Sequence, residues 1–236
     1  MTASGLRAAG FAAAALALVL VALLAPGCGA GKSTATAPPP APLLPGAADK
    51  KCVVVLHGKG GNAGASSVTG DIETLRPGGN AAGWGGREWR YFPQAGYEQV
   101  RATVAGALDA AGCGHVVVQG FSNGAAAAAK LYCRGEDFGG RVRGYIVDDP
   151  VPDNGVTGCQ PRSGMPLRLY WTGGLAVATD GWPCTTQDWT CEGGRTIGIA
   201  RYARELGAQA VPSIHGTHTQ YDSPPEIAAW LAASPQ

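Results

Sequence analysis

From residue 50 onward, short apolar runs alternate with longer stretches in which apolar residues recur every three or four positions. CVVVL (52–56), WRYFP (89–93) and HVVVQ (115–119) have the length and character of strands buried on both faces. VRGYIVD (142–148), PLRLYWT (166–172) and AVPSIHG (210–216) continue the series. Between them, YEQVRATVAGALDAA (97–111), AAAAAKLYCR (125–134), RTIGIARYAREL (195–206) and PPEIAAWLAA (224–233) carry helical patterning, the last with Pro in its first turn. The rhythm predicts an α/β domain with a mostly parallel sheet of about six strands and helices on both faces. Pro212 has no N–H to give to a ladder, so the last strand belongs at an edge.

The first 49 residues follow a different pattern. A lone charge, Arg7, precedes FAAAALALVLVALL (11–24), an apolar segment short for a bilayer, and small residues follow it. Residues 1–27 therefore read as an export signal. APGC (25–28) resembles a bacterial lipobox, with Ala25 where Leu is commonest, and this implies a lipid on Cys28 and a cell-envelope lipoprotein held at a membrane. Plain secretion is the alternative. GCGAGKST (27–34) ends like a phosphate-binding loop at Gly31, Lys32 and Ser33. Pro26 occupies the position of that loop's first glycine, however, and TATAPPPAPLLPGAA cannot supply the helix that must follow. Residues 28–49 read as a Pro/Ala-rich spacer and 50–236 as one folded domain without internal repeats.

The formal net charge is +1, and Arg7 lies in the export signal, so the remainder is neutral overall. Nucleic-acid binding through charge is excluded on that ground. Six cysteines remain beside Cys28: Cys52, Cys113, Cys133, Cys159, Cys184 and Cys191. An even set in an exported chain points to disulfides, with fifteen pairings open, and no Cys/His spacing points to a metal.

The sharpest chemistry is GFSNG, Gly120 to Gly124, set directly after the third strand and opening an alanine-rich helix. A strand, a sharp turn and a helix in that order lift a serine into a strained, exposed position. Side chains in place of the flanking glycines would collide with the neighbouring helix and strand, and the helix N-terminus favours negative charge developing at Ser122. With this motif in place, residues 51–231 resemble the α/β-hydrolase superfamily at its compact, cutinase-like end, without the first two strands of larger members. LHGKGG (56–61) is similar to the family's oxyanion loop, and HGTH (215–218) stands where the family places its histidine.

The resemblance implies Ser122 as nucleophile, His218 in preference to His215 as base, and the backbone N–H groups of Lys59 and Asn123 as the oxyanion hole. For the acid it implies Asp180, after the fifth strand. Asp188 in the same loop and Asp148, Asp149 or Asp153 after the fourth strand are the alternatives. The implied activity is that of an exported serine esterase working through an acyl-enzyme, monomeric and needing no metal or organic cofactor. About a dozen residues separate Asp153 from Met165, too few for a cap domain, so the cleft should be open to bulky or polymeric esters. Trp84, Trp182 and Trp189 either line an apolar acyl site or pack loops. Two rivals share the fold: an inactive scaffold kept for binding, and a peptidase or amidase.

The resemblance also selects among the cysteine pairings. It makes the strands beginning near Cys52 and Cys113 parallel neighbours, which implies that bridge. A bridge near the acid, as in cutinases, implies Cys184 with Cys191, and Cys133 with Cys159 is the pair left over.

Overall fold

The computed structural model describes residues 49–172, 180–186 and 189–233. The segment read as an export signal, Cys28, the stretch before residue 49, Asp188 and the side chain of Trp189 lie outside the described residues. The strands are β1 (Lys51–Leu56), β2 (Gly64–Thr69), β3 (Ile72–Arg76), β4 (Ala81–Gly83), β5 (Gly86–Glu88), β6 (His115–Phe121), β7 (Val142–Asp148), β8 (Leu167–Trp171), β9 (Asp180–Thr186), β10 (Trp189–Ile197) and β11 (Ala210–Pro212). The helices are α1 (Gln94–Ala111), α2 (Asn123–Cys133), α3 (Ile199–Glu205) and α4 (Pro225–Ala232).

Seven strands form one sheet in the order β11-β8-β7-β6-β1-β3-β2, parallel throughout except for β2. This is the α/β architecture expected from the hydrolase resemblance, with one more strand than anticipated. Alternation along β1 separates two cores. Cys52, Val54 and Leu56 face the layer of α1, α2 and α3, while Val53 and Val55 pack with Leu231, Ile227 and Trp230 of α4. Neighbouring β6 repeats the division, with Val116 and Val118 on the first side and Val117 on the second. Burial on both faces is why these strands are continuous apolar runs rather than alternating ones.

Helix α1 buries Tyr97, Val100, Val104 and Leu108, a stripe at helical spacing, and ends where Gly112 takes φ 67°. That turn delivers Cys113 beside Cys52, Cα to Cα 5.8 Å. The other two cysteine pairs also come together as the resemblance implied: Cys133 with Cys159 at 4.4 Å and Cys184 with Cys191 at 5.5 Å between Cα atoms. Each separation lies within the range a disulfide spans.

Three elements differ from the periodicity. Residues 89–93 are not a strand, although Trp89 and Tyr91 are buried. Trp89 instead exchanges both backbone hydrogen bonds with the Asn123 side chain, its N–H donating to Oδ1 at 2.6 Å and its C=O accepting from Nδ2 at 3.1 Å. The place beside β1 belongs to β3, reached through a hairpin from β2 that turns at Gly70 (φ 61°). Strand β2 is exposed along its length, so GASSVT carries no apolar alternation from which to recognise it. The helix expected over 195–206 is confined to Ile199–Glu205, because the residues before it pair with β9 in a separate two-stranded ribbon. Strand β11 is short and ends the sheet, as Pro212 requires.

Candidate active site

The parallel strands deliver their carboxyl ends to one edge of the sheet, and the chemistry-bearing residues collect there. Ser122 follows β6, the strand between β1 and β7. Its backbone takes φ 55°, ψ −117°, a region that L residues avoid, held by a hydrogen bond from Ser122 N–H to the Asp148 carbonyl at 3.0 Å. The flanking glycines are there for space. A Cβ on Gly120 would lie 2.2 Å from the Gly124 carbonyl oxygen, and one on Gly124 would lie 2.1 Å from that of Leu56. Five buried alanines, Ala125 to Ala129, let α2 sit as close to the sheet as those contacts demand. Ser122 therefore caps a helix whose first N–H groups have no partner within the helix.

The loop after β1 lies against this turn. A Cβ on Gly58 would meet the Phe121 ring at 3.2 Å and Ser122 Cβ at 3.4 Å. Backbone bonds strap the loop to β5: Gly60 N–H donates to Arg87 C=O at 2.9 Å and Arg87 N–H to Gly61 C=O at 2.7 Å. His57 fixes its base in a single tautomer, with Nδ1–H donating to Gly58 C=O at 2.7 Å and Nε2 accepting from Gly79 N–H at 3.0 Å. The Lys59 ammonium pairs with buried Glu88 at 3.1 Å and lies 5.9 Å from the centre of the Trp84 ring. Trp84 occupies the tip of the β4–β5 hairpin at φ 46°, with 61% of its surface exposed.

His218 approaches from the loop after β11. Its ring lies 4.6 Å from that of Phe121, the residue before Ser122, and Nδ1 is 2.5 Å from Asp149 Oδ2. Asp149 is buried, and Thr172 gives it two more donors, N–H to Oδ1 at 3.1 Å and the hydroxyl to Oδ2 at 2.7 Å. A bond from Nδ1–H to the carboxylate leaves Nε2 as the acceptor. Among the described residues Ser122 Oγ makes no direct hydrogen bond to His218; Phe121 is the contact between them. His215, the other candidate base, stacks edge-on to Tyr221 at 6.1 Å.

The carboxylate against His218 is not the one expected. Asp180 opens β9, exposed, with its backbone paired to Ile197, and the carboxylate against His218 is Asp149. Asp149 takes φ 51°, and its N–H binds the Tyr170 carbonyl at 3.0 Å, which breaks the strand's alternation at that point. The preceding Asp148 also faces the histidine loop, accepting from Tyr221 N–H at 2.6 Å. Burial pushes the Asp148 carboxyl up to about 6, against the pull of that N–H. Asp153 lies apart from His218, in a buried cluster with Tyr91 and the Glu192 N–H, and burial raises it likewise to about 6. The signal for Asp149 was legible in VDDPVPD, a carboxylate pair at the end of the strand next to the serine's own.

No protein-family model matches the chain, and no curated protein sequence does. Among solved structures it is similar to a carboxylesterase from Bacillus cereus at 18% identity, covering 78% of this chain and 87% of that one, with a TM-score of 0.43. A carboxylesterase from Mesorhizobium loti is similar at 18% identity over 78% of this chain and 90% of that one, TM-score 0.45.

Proposed function

We propose that this chain is an exported serine hydrolase of α/β-hydrolase type that cleaves carboxylic esters, with Ser122 as nucleophile, His218 as base and Asp149 as acid. The observation that carries the reading is the contact of His218 Nδ1 with a buried carboxylate, beside a serine held in strained backbone at a helix N-terminus. In this reading substrate binding brings Nε2 onto the Ser122 hydroxyl by side-chain rotation. Oγ then attacks the ester carbonyl carbon while His218 takes its proton, and Asp149 stabilises the imidazolium. The backbone N–H groups of Lys59 and Asn123 receive the oxyanion. Collapse expels the alcohol with the proton from His218. Water, deprotonated by His218, then cleaves the acyl-enzyme, releasing the acid and restoring Ser122.

A fluorophosphonate probe tests the nucleophile directly. We expect stoichiometric labelling on Ser122 and none in Ser122→Ala, which should also lose p-nitrophenyl ester hydrolysis by at least about a thousandfold. Unaltered turnover in that variant overturns the reading, and faster cleavage of peptides than of esters would replace it with an amidase. The export signal and Cys28 extend the proposal to the cell envelope. A Cys28→Ala precursor should lose membrane retention, and undiminished partitioning would remove the lipid anchor from it.

A further inference from the structure

Asp148 has no task in the reaction above, yet it is buried at the edge of the site. It ends β7, with Oδ2 on the Tyr221 N–H and Oδ1 buried without a partner among the described residues. A buried carboxylate is costly unless donors meet its oxygens, and the Tyr221 N–H is the donor this one meets. That bond acts on a loop. Residues 213–221 contain neither helix nor strand and leave Ile214 65% exposed, so few bonds oppose local opening. Ser213 N–H is held by the Trp171 carbonyl, and at the far end both peptide groups of Tyr221 are held from below. Its N–H goes to Asp148 of β7, and its C=O accepts from Gln119 Nε2 of β6 at 2.5 Å.

The geometry points to Asp148 as a positioning residue that, through the Tyr221 amide, holds the loop presenting His218 to Asp149 and Ser122. The kinetic part of this inference rests on the proposed esterase reading; the structural part does not. Adjacent residues thus serve one loop from its two aspects: Asp149 takes the imidazole and Asp148 the backbone three residues further on. A bond from an amide to an ionised carboxylate is stronger than one to its protonated form. Asp149, His215, His218 and the Tyr221 amide are the groups that act on the Asp148 carboxyl, and its burial places the titration near pH 6. Protonation therefore weakens this one bond, while burial makes the neutral carboxyl the less costly form to hold in the folded protein.

The isosteric Asp148→Asn keeps an acceptor for Tyr221 and removes the charge, whereas Asp148→Ala removes both. In the purified protein the Tyr221 amide resonance should titrate between pH 5 and 7, and in Asp148→Asn that titration should vanish. For ester hydrolysis, Asp148→Asn should lower kcat about tenfold with KM within twofold, and its acid limb should lack the ionisation near pH 6 assigned to Asp148. Asp148→Ala should lose more, and if it does not fold, Asp148→Asn alone decides. A Tyr221 amide that does not titrate, or that titrates equally in Asp148→Asn, overturns the inference. So does an unchanged kcat with superimposable pH profiles. If the wild type hydrolyses no ester, the esterase reading fails, and the amide titration still decides the anchor.

Discussion

Asp149 and His218 meet at 2.5 Å between Oδ2 and Nδ1, although 69 positions separate them along the chain. This carboxylate comes from the strand directly beside the serine's strand, one place nearer than the strand from which Asp180 would have descended. Buried, with two donors from Thr172, that carboxylate has every feature needed to orient an imidazole.

Replacing the acid separates the two candidates. Asp149→Asn should lower kcat by about a thousandfold or more, because an amide there favours the wrong histidine tautomer. Asp180→Asn should leave kcat within twofold, since that side chain is exposed on β9. The opposite ranking in steady-state kinetics would return the role to Asp180.

Two glycines should respond to alanine with opposite signs. In Gly124→Ala the new Cβ meets backbone, Leu56 O at 2.1 Å and His57 O at 2.6 Å, and neither can yield without moving β1 from α2. We expect a loss of about 3 kcal/mol in urea unfolding, together with lost activity. Gly106→Ala, inside α1 with nothing near its Cβ, should gain about 0.5 to 1 kcal/mol.

Stability should rise as pH falls from about 6 to about 4. Burial raises Asp153 to about 6 in the folded protein from 3.8, so the folded state binds the proton more tightly and gains through that window. The shift amounts to about 3 kcal/mol. Asp148 contributes in the same direction. Asp71 and Glu73, lowered by hydrogen bonds from Lys51 and Lys50, act oppositely, but their contribution is lost only as pH falls below the ordinary carboxylate range. The melting temperature of Asp153→Asn should therefore climb less between pH 6.5 and 4.5 than that of the wild type; equal slopes would refute the assignment.

The bridges should differ in worth. Cys52 and Cys113 close a loop of sequence separation 61, so their joint replacement by Ala should cost about 4 kcal/mol. Cys184 and Cys191, separated by 7, should cost about 2 kcal/mol. Denaturant midpoints of the two double variants measure the order.

Hydrophobic patterning alone determined β1, β6, β7 and β8 and the helices α1, α2 and α4, because strands and helices buried against one core carry that burial in the identity of their own residues. The serine turn was equally legible, since its glycines are dictated by contacts within a few residues and with the strand alongside. Tertiary structure decided the rest. The exposed β2 has no core to record, and the β3 hairpin takes the place beside β1 that residues 89–93 could have filled, because Trp89 finds its backbone partners in the Asn123 side chain. Which carboxylate meets His218 depends on where β7 lies relative to β6 and on a left-handed residue at Asp149. Neither is a property of spacing along the chain; both arise only when the strands pair and their ends converge on one edge.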